Sequence, residues 1–287
     1  MKVKGSIVDL GKLSEPITAL INRAADAGSV IYEPTRIVRK AKAEAKADKV
    51  RTLSDVEVQD IRLRAQLRIE QEQIRDQRNI ETIAGKAMEM LNEDAKPNAI
   101  DLDWLRNFFD KCRLTSDEDI QVLWAKILAS EANNNNSFNK RTVLAVSQLS
   151  KREALTFSQL CRYSFSIIDN DPKLFVFLEH LEAVPKEGLS FDEINHLSMI
   201  GLTTHASIGY SNICDTDEPS LSYFEGRYKL VFQTENYERE LSLGRVLLSE
   251  IGQELATICD VEPIPNFVSD LEAYWLKKNQ IQSLEKI

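Results

Sequence analysis

Apolar residues recur at helical spacing near the start of the chain. Residues 14–31 predict a helix with Ser14 as its N-cap, because four large apolar side chains share one face: Ile17, Leu20, Ile21 and Ile31. Polar residues interrupt this stretch, whereas a membrane-spanning helix needs ~20 mainly apolar residues. We therefore expect an amphipathic helix that does not cross a bilayer.

The segment 35–95 is rich in Ala, Glu, Gln, Lys and Arg and contains no proline and one glycine. This composition predicts one very long helix or two collinear helices. Within it, residues 61–69 alternate between apolar and polar positions, which is a strand pattern. We interpret them as helical because no turn residue flanks them and because two oppositely charged pairs lie at i,i+4, Asp60 with Arg64 and Arg68 with Glu72.

The segment from Asp101 to about Ile168 predicts an antiparallel bundle of short helices. Asp101 is expected to cap the first of them, and Ser116-x-x-Asp119 resembles a capping box that opens the second. The polar run Asn133–Asn136 predicts a loop tip. A third helix is expected at 138–149.

Two further capping boxes, Ser150-x-x-Glu153 and Ser190-x-x-Glu193, open helices expected at 151–167 and up to Ile200. The pattern then changes. We expect three strands, at 203–210, 227–234 and 245–248, followed by helices at 249–259 and 266–284. A helix, a turn, a β-ribbon and a further helix in this order predict a winged-helix-like α+β module.

The predicted fold is therefore mainly α with a smaller α+β part: a long N-terminal helix, a helical bundle and a C-terminal winged-helix-like domain. The expected domains are an amphipathic helix plus a long charged helix for oligomerisation or surface binding, the helical bundle, the winged-helix-like domain and a C-terminal helix, with boundaries at 1–98, 99–170, 171–262 and 263–287.

Composition adds a charge asymmetry. The 287 residues carry a formal net charge of −9, yet residues 1–100 hold 18 basic and 16 acidic side chains, so the acidic excess lies behind residue 100. An acidic body repels phosphate backbones. Four cysteines without CxxC spacing and an N-terminus without a signal-peptide pattern predict a cytoplasmic protein.

Motifs for catalysis are missing from the sequence. It has no phosphate-binding loop, dinucleotide fingerprint, nucleophile elbow or zinc spacing, and its histidines, His180, His196 and His205, are widely separated. Cys112 lies on an apolar helix face and is expected to be buried. The acids 117–119 fit the first turn of a helix. We predict no catalytic, cofactor-binding or metal-binding residue, and no cofactor.

A basic segment supplies the candidate contact surface. Residues 36–51 contain seven basic and two acidic side chains, and anionic lipid attracts such residues by ~1 kcal/mol each. The alternatives are a solvated helix face in an oligomer and a nucleic-acid contact. The candidates for membrane or nucleic-acid contact are Arg36, Arg39, Lys40, Lys42, Lys46, Lys49 and Arg51, with Ile17, Leu20, Ile21 and Ile31 as the amphipathic anchor.

Two stretches resemble a bacterial domain-of-unknown-function family. They are the run from Tyr32 to Ile37 before the charged helix and the run from Trp104 to Val143, which contains FFDKCRLTSDEDIQVLWAKILASEA. The second stretch is also similar, more weakly, to helical parts of Abi-alpha type abortive-infection proteins. The resemblance implies a bacterial cytosolic protein of phage defence, acting at the inner membrane, and it transfers no catalytic residue.

The function expected from these features is that of a non-enzymatic bacterial interaction protein, in phage defence or stress response, that oligomerises through its long helix at the inner-membrane surface. Its expected partners are further copies of the chain, a protein from a neighbouring gene and anionic membrane, with nucleic acid ranked below them. One alternative is a DNA-binding regulator that uses the winged-helix-like tail or the basic helix. The second is a metal-dependent nuclease or hydrolase whose site forms only in the fold.

Overall fold

The computed structural model describes residues 15–27, 56–168, 173–178 and 189–287. The chain divides into two compact units, Met1–Ser147 and Gln148–Ile287. The first unit is helical over its described residues. The second combines helices with one large β-sheet.

The helices of the first unit follow the predicted order. Over the described residues they are α1 (Glu15–Asp26), α2 (Val56–Met88), α3 (Leu102–Cys112), α4 (Glu118–Asn133) and α5 (Lys140–Gln148), with a 3₁₀ turn at Pro97–Ala99. Residues 61–69, which alternate between apolar and polar positions like a strand, are helical, as the i,i+4 charge pairs indicated.

Aromatic side chains form the centre of the first unit. The Trp104 and Phe108 rings stack at 5.3 Å, and Trp124 meets Phe108 edge-on at 5.2 Å. The Trp104 indole N–H donates to the carbonyl oxygen of Phe138 at 2.7 Å, which satisfies its one polar group inside the core. Arg23 of α1 donates to the carbonyl oxygen of Ile100 at 2.6 Å and so attaches α1 to this unit.

Most of the helix caps predicted from the sequence are present. Asp101 caps α3 by accepting the N–H of Trp104 at 2.7 Å, as predicted. The capping box predicted at Ser116 is wrong by one residue. Asp117 caps α4 instead and accepts the N–H groups of Asp119 and Ile120, because a carboxylate at this position reaches both donors.

The second unit contains four helices over its described residues, α6 (Lys151–Cys161), α7 (Phe191–Met199), α8 (Glu250–Ala256) and α9 (Phe267–Lys277). Its strands are β1 (Ser164–Ile168), β2 (Lys173–Val176), β3 (Thr203–Ile213), β4 (Ser220–Tyr223), β5 (Gly226–Phe232), β6 (Glu240–Leu248) and β7 (Ile281–Lys286). All seven belong to one antiparallel sheet with the order β3-β6-β2-β1-β4-β5-β7.

This sheet overturns the predicted fold class of a mainly α chain with a winged-helix-like domain. The three predicted strands exist, but they pair into a sheet whose centre is β1 and β2 rather than a small ribbon behind a helix. The helix predicted at 151–167 ends at Cys161 and gives way to β1, and the last predicted helix ends at Lys277 and gives way to β7. In both segments, pairing with other strands of the sheet overrides the helix that the local sequence favours.

Helix α9 covers the face of the sheet that carries Phe165. The Trp275 ring lies 5.9 Å from the Phe165 ring, and the Phe267 ring stacks on Tyr223 at 4.3 Å. Phe267 and Trp275 are almost fully buried. These rings are the core of the second unit, so its stability depends on α9 packing against the sheet.

Candidate interaction surface

Helix α2 has two halves with different surroundings. From Asn79 to Met88 it turns a row of side chains into the first unit and packs against α4: Asn79, Ile80, Ile83, Ala84, Ala87 and Met88 are buried. Before Asp76 none of the described side chains of α2 is buried. The helix is therefore held by its second half, and its first half stands on the surface of the unit.

Polar contacts fix the point at which the buried half begins. The Arg113 guanidinium lies 2.6 Å from the Asp76 carboxylate, and this ion pair holds the pKa of Arg113 above its usual range. Asn79 donates to the carbonyl oxygen of Arg113 at 2.7 Å and accepts from Gln121 at 3.2 Å. These bonds to residues outside α2 leave little freedom for the helix to rotate about its own axis at this point.

The first half exposes large apolar side chains. Six of them lie between residues 58 and 74, with exposed fractions from 37% at Ile74 to 54% at Ile61: Val58, Ile61, Leu63, Leu67, Ile69 and Ile74. Single exposed apolar residues are normal on a protein surface, but six large ones within 17 residues of one helix are typical of an interaction site. The segment from Val58 to Ile74 is called the apolar segment of α2 below.

Charged pairs support the helix along the same segment. Arg64 lies 3.0 Å from Asp60 and Arg68 lies 3.1 Å from Glu72, both at the predicted i,i+4 spacing. Such exposed pairs contribute only ~0.3–0.5 kcal/mol each. In proteins most helical stability comes from packing of an apolar face, and on α2 that packing is confined to the second half.

The residues selected from the sequence lie elsewhere. Leu20 is fully buried in the first unit, and Ile17 and Ile21 are half-buried on α1. Ile31 lies outside the described residues, as do all seven basic candidates: Arg36, Arg39, Lys40, Lys42, Lys46, Lys49 and Arg51. The contact role of the basic segment stays a prediction. The apolar segment was missed as a site, although the alternation at 61–69 was visible in the sequence.

A second cluster of charged residues joins the starts of α6 and α7. Both predicted capping boxes are present, at Ser150 with Glu153 and at Ser190 with Glu193. The hydrogen bond from the Ser150 N–H, together with the His196 ring, holds the pKa of Glu153 below its usual range. These capping roles account for the carboxylates, so the cluster is a contact between two helices.

A cleft of about 720 Å³ lies in the second unit between the β4–β5 turn and the start of α9. Tyr223, Tyr228, Phe267 and Lys286 are among its lining residues. The Tyr223 hydroxyl is already used, since it donates to the carbonyl oxygen of Arg162 at 2.9 Å and accepts the Ile264 N–H at 2.7 Å. Burial raises the pKa of this phenol.

The cysteines and acids form no recognisable reactive centre in the described part of the chain. Cys112 is fully buried, as predicted, and burial raises the pKa of its thiol. The pKa of Cys161 is also raised, mainly by a hydrogen bond with Cys259 and to a smaller extent by burial. Over residues 15–27, 56–168, 173–178 and 189–287, no group of three or more His, Cys, Asp or Glu could hold a metal ion, and no helix is long and apolar enough to cross a membrane.

Comparison with known proteins gives one match. A family model with the description "Protein of unknown function (DUF2806)" matches residues 63–272, from within α2 to within α9. No curated protein and no solved structure matches the chain.

Proposed function

The chain belongs to the DUF2806 family, and from that premise we propose that it is a non-enzymatic interaction protein that associates with further copies of itself through the apolar segment of α2. The family description gives no activity, so the proposal depends on the surface of the molecule. The observation that carries it is the presence of six exposed large apolar side chains along the first half of a helix whose second half is fixed in the first unit.

Burial of these apolar side chains between two copies would stabilise the assembly. Removing apolar surface from water contributes about 25 cal/mol per Å², and a side chain that is half exposed in one chain can still lose much of that surface against a second chain. Asp76 and Asn79 hold the second half of α2 in place. The first half therefore loses little additional conformational freedom when two copies associate.

Charge does not oppose association at this segment. Residues 56–75 contain four acidic and four basic side chains, whereas the whole chain carries −9. Two copies repel one another over most of their surface, but a segment with balanced charge adds no repulsion. The apolar segment is therefore better suited than the acidic surface to contact a second copy.

The cellular setting stays a prediction. A bacterial origin, a role in phage defence or stress response, a partner from a neighbouring gene and a position at the inner-membrane surface are inferred from sequence resemblance and from the basic segment 36–51. DNA binding by that basic segment is kept as an alternative, and DNA binding by a winged helix is withdrawn with that fold. The metal-dependent hydrolase has no described group of ligands to support it.

The proposal is tested by the mass of the full chain in solution. Sedimentation velocity over a concentration series is expected to give a species larger than 32.6 kDa for the natural sequence. A variant with four apolar side chains replaced by glutamine, a good helix former, is expected to stay monomeric: Ile61→Gln, Leu63→Gln, Leu67→Gln and Ile69→Gln.

A matched control separates this surface from general hydrophobicity. Leu144 on α5 is 48% exposed, close to the 49% of Leu63 and Leu67, and Leu144→Gln is expected to leave the assembly intact. Circular dichroism should report unchanged helix content for every variant. A natural chain that is monomeric at all concentrations would refute the proposal. So would a variant with the four glutamine substitutions that assembles like the natural chain.

A further inference from the structure

The exposed apolar side chains of α2 lie on two opposite faces. A helix advances about 100° per residue, so residues spaced three and four apart share a face. Val58, Ile61, Ala65 and Ile69 follow this spacing and form stripe A. Leu63, Leu67 and Ile74, spaced four and seven apart, form stripe B. The centres of the two stripes lie roughly 175° apart around the helix axis.

This arrangement explains the strand-like alternation of the sequence. Between residues 61 and 69 the apolar positions belong in turn to stripe A and stripe B, so an alternating pattern is compatible with a helix that is apolar on two sides. A helix that packs against one neighbour needs only one stripe. Two stripes on opposite sides are typical of a helix that contacts two neighbours.

We infer that each α2 contacts two further copies of the chain, one at each stripe, so that the assembly contains at least three chains. The inference rests on the proposed self-association through the apolar segment. In a simple dimer of this segment one stripe of each helix would stay in water, whereas three or more copies cover both. A contact of stripe A with stripe B is head-to-tail, and such contacts close into rings when the rotation between copies allows it.

The charges beside the stripes favour contact of unlike stripes. Arg62 and Arg68 flank stripe A, and even with Glu72, which pairs with Arg68, that side keeps a net positive charge. Asp60 and Glu70 flank stripe B, and even with Arg64, which pairs with Asp60, that side keeps a net negative charge. Stripe A against stripe A would bring arginines together and stripe B against stripe B would bring carboxylates together, so both like pairings are disfavoured and the unlike pairing is favoured.

The experiment breaks one stripe at a time in the full chain. The stripe A variant is Ile61→Gln with Ile69→Gln, and the stripe B variant is Leu63→Gln with Leu67→Gln. The natural chain is expected to sediment with the mass of three or more chains. Each variant alone is expected to be monomeric, because its intact stripe finds no intact unlike stripe on another copy.

Mixing the two variants provides the decisive step. The stripe A variant keeps stripe B, and the stripe B variant keeps stripe A, so an equimolar mixture is expected to form a dimer with one chain of each kind. Gln66→Ala, which changes a position between the stripes, is expected to behave like the natural chain and serves as the control. Circular dichroism should show that all variants keep the helix.

The outcomes separate this inference from the proposed function. A natural chain that stops at a dimer overturns the two-neighbour inference and leaves self-association standing. A natural chain that is monomeric, as it would be if another part of the same chain covered the stripes, overturns both. Single-stripe variants that dimerise on their own, or a mixture that stays monomeric, overturn the pairing of stripe A with stripe B.

Discussion

The imidazole Nε2 of His196 lies 2.6 Å from a carboxylate oxygen of Glu153, and this pair connects the starts of α7 and α6. The same carboxyl group accepts the Ser150 N–H at 2.7 Å within its own capping box. On the other side of the contact, Arg152 lies 3.1 Å from Glu193. Each capping box therefore supplies one carboxylate to the opposite helix.

This contact predicts a pH-dependent stability of the second unit. The pKa of Glu153 in the folded chain is lowered below 4.5, first by the Ser150 N–H and then by His196. The ionised carboxylate thus stabilises the fold above pH 4.5, and this stabilisation is lost as the pH falls below 4.5 through the folded pKa. In Glu153→Gln, urea unfolding should show a smaller loss of stability on acidification than in the natural chain.

The contribution of the histidine can be separated from that of the cap. His196→Gln removes the ring and leaves the bond from the Ser150 N–H, so part of the acid sensitivity is expected to remain. Parallel curves of stability against pH for the natural chain and Glu153→Gln would contradict this explanation.

Removing the Phe267 ring is expected to destabilise the second unit strongly. This side chain is 1% exposed and its ring lies 4.3 Å from Tyr223, so Phe267→Ala leaves a cavity at the centre of the core. Phenylalanine-to-alanine changes in cores cost about 3–5 kcal/mol. Urea unfolding measures the loss. Phe191, which is 73% exposed on α7, is the matched control, and its alanine variant should differ by less than about 0.5 kcal/mol.

Features of the fold that depend on neighbouring residues were predictable. The caps at Asp101, Ser150 and Ser190 require only a side chain and the N–H groups two or three residues later. The strands β1 and β7 could not be predicted in this way. Leu284 in β7 is opposite Leu230 in β5, and nothing close to residue 284 in the sequence indicates that partner.

The candidate site was visible in part. The sequence showed the alternation of apolar and polar residues on α2, but it could not show which half of the helix is buried. Ile74 and Ile80 are equally apolar, yet the first is 37% exposed and the second 7%, because only the second faces the first unit. Exposure depends on tertiary contacts, and so the apolar segment could be recognised only in the fold.

The same substitution at two glycines is expected to change stability in opposite directions. A Cβ atom at Gly252 in α8 would collide with the carbonyl oxygen of Leu202, an oxygen that accepts the Ser249 N–H at 3.0 Å. Gly252→Ala must shift that backbone, and such overpacking costs about 1–3 kcal/mol. A Cβ atom at Gly85 in α2 meets no atom within 4 Å, and Gly85→Ala should stabilise the helix by about 0.5–1 kcal/mol.

Thermal and urea unfolding of both variants measure this difference. Each glycine lies in a helix and each variant gains one methyl group, so each serves as the control for the other. Two destabilised variants would show that the space around Gly85 is smaller than the structure indicates. Two stabilised variants would show that the Leu202 backbone moves without cost.

The cysteines are expected to react with a thiol reagent in a fixed order in the folded chain. Thiolates are the reactive form, and burial raises the pKa of Cys112, while a hydrogen bond with Cys259 and burial raise the pKa of Cys161. Cys214 is buried as well, whereas Cys259 is half-buried. Iodoacetamide should therefore modify Cys259 first and Cys112 only on unfolding, as followed by peptide mass spectrometry. In denaturant all four cysteines should react at similar rates, and folded protein in which Cys112 reacts as fast as Cys259 would contradict the packing of α3.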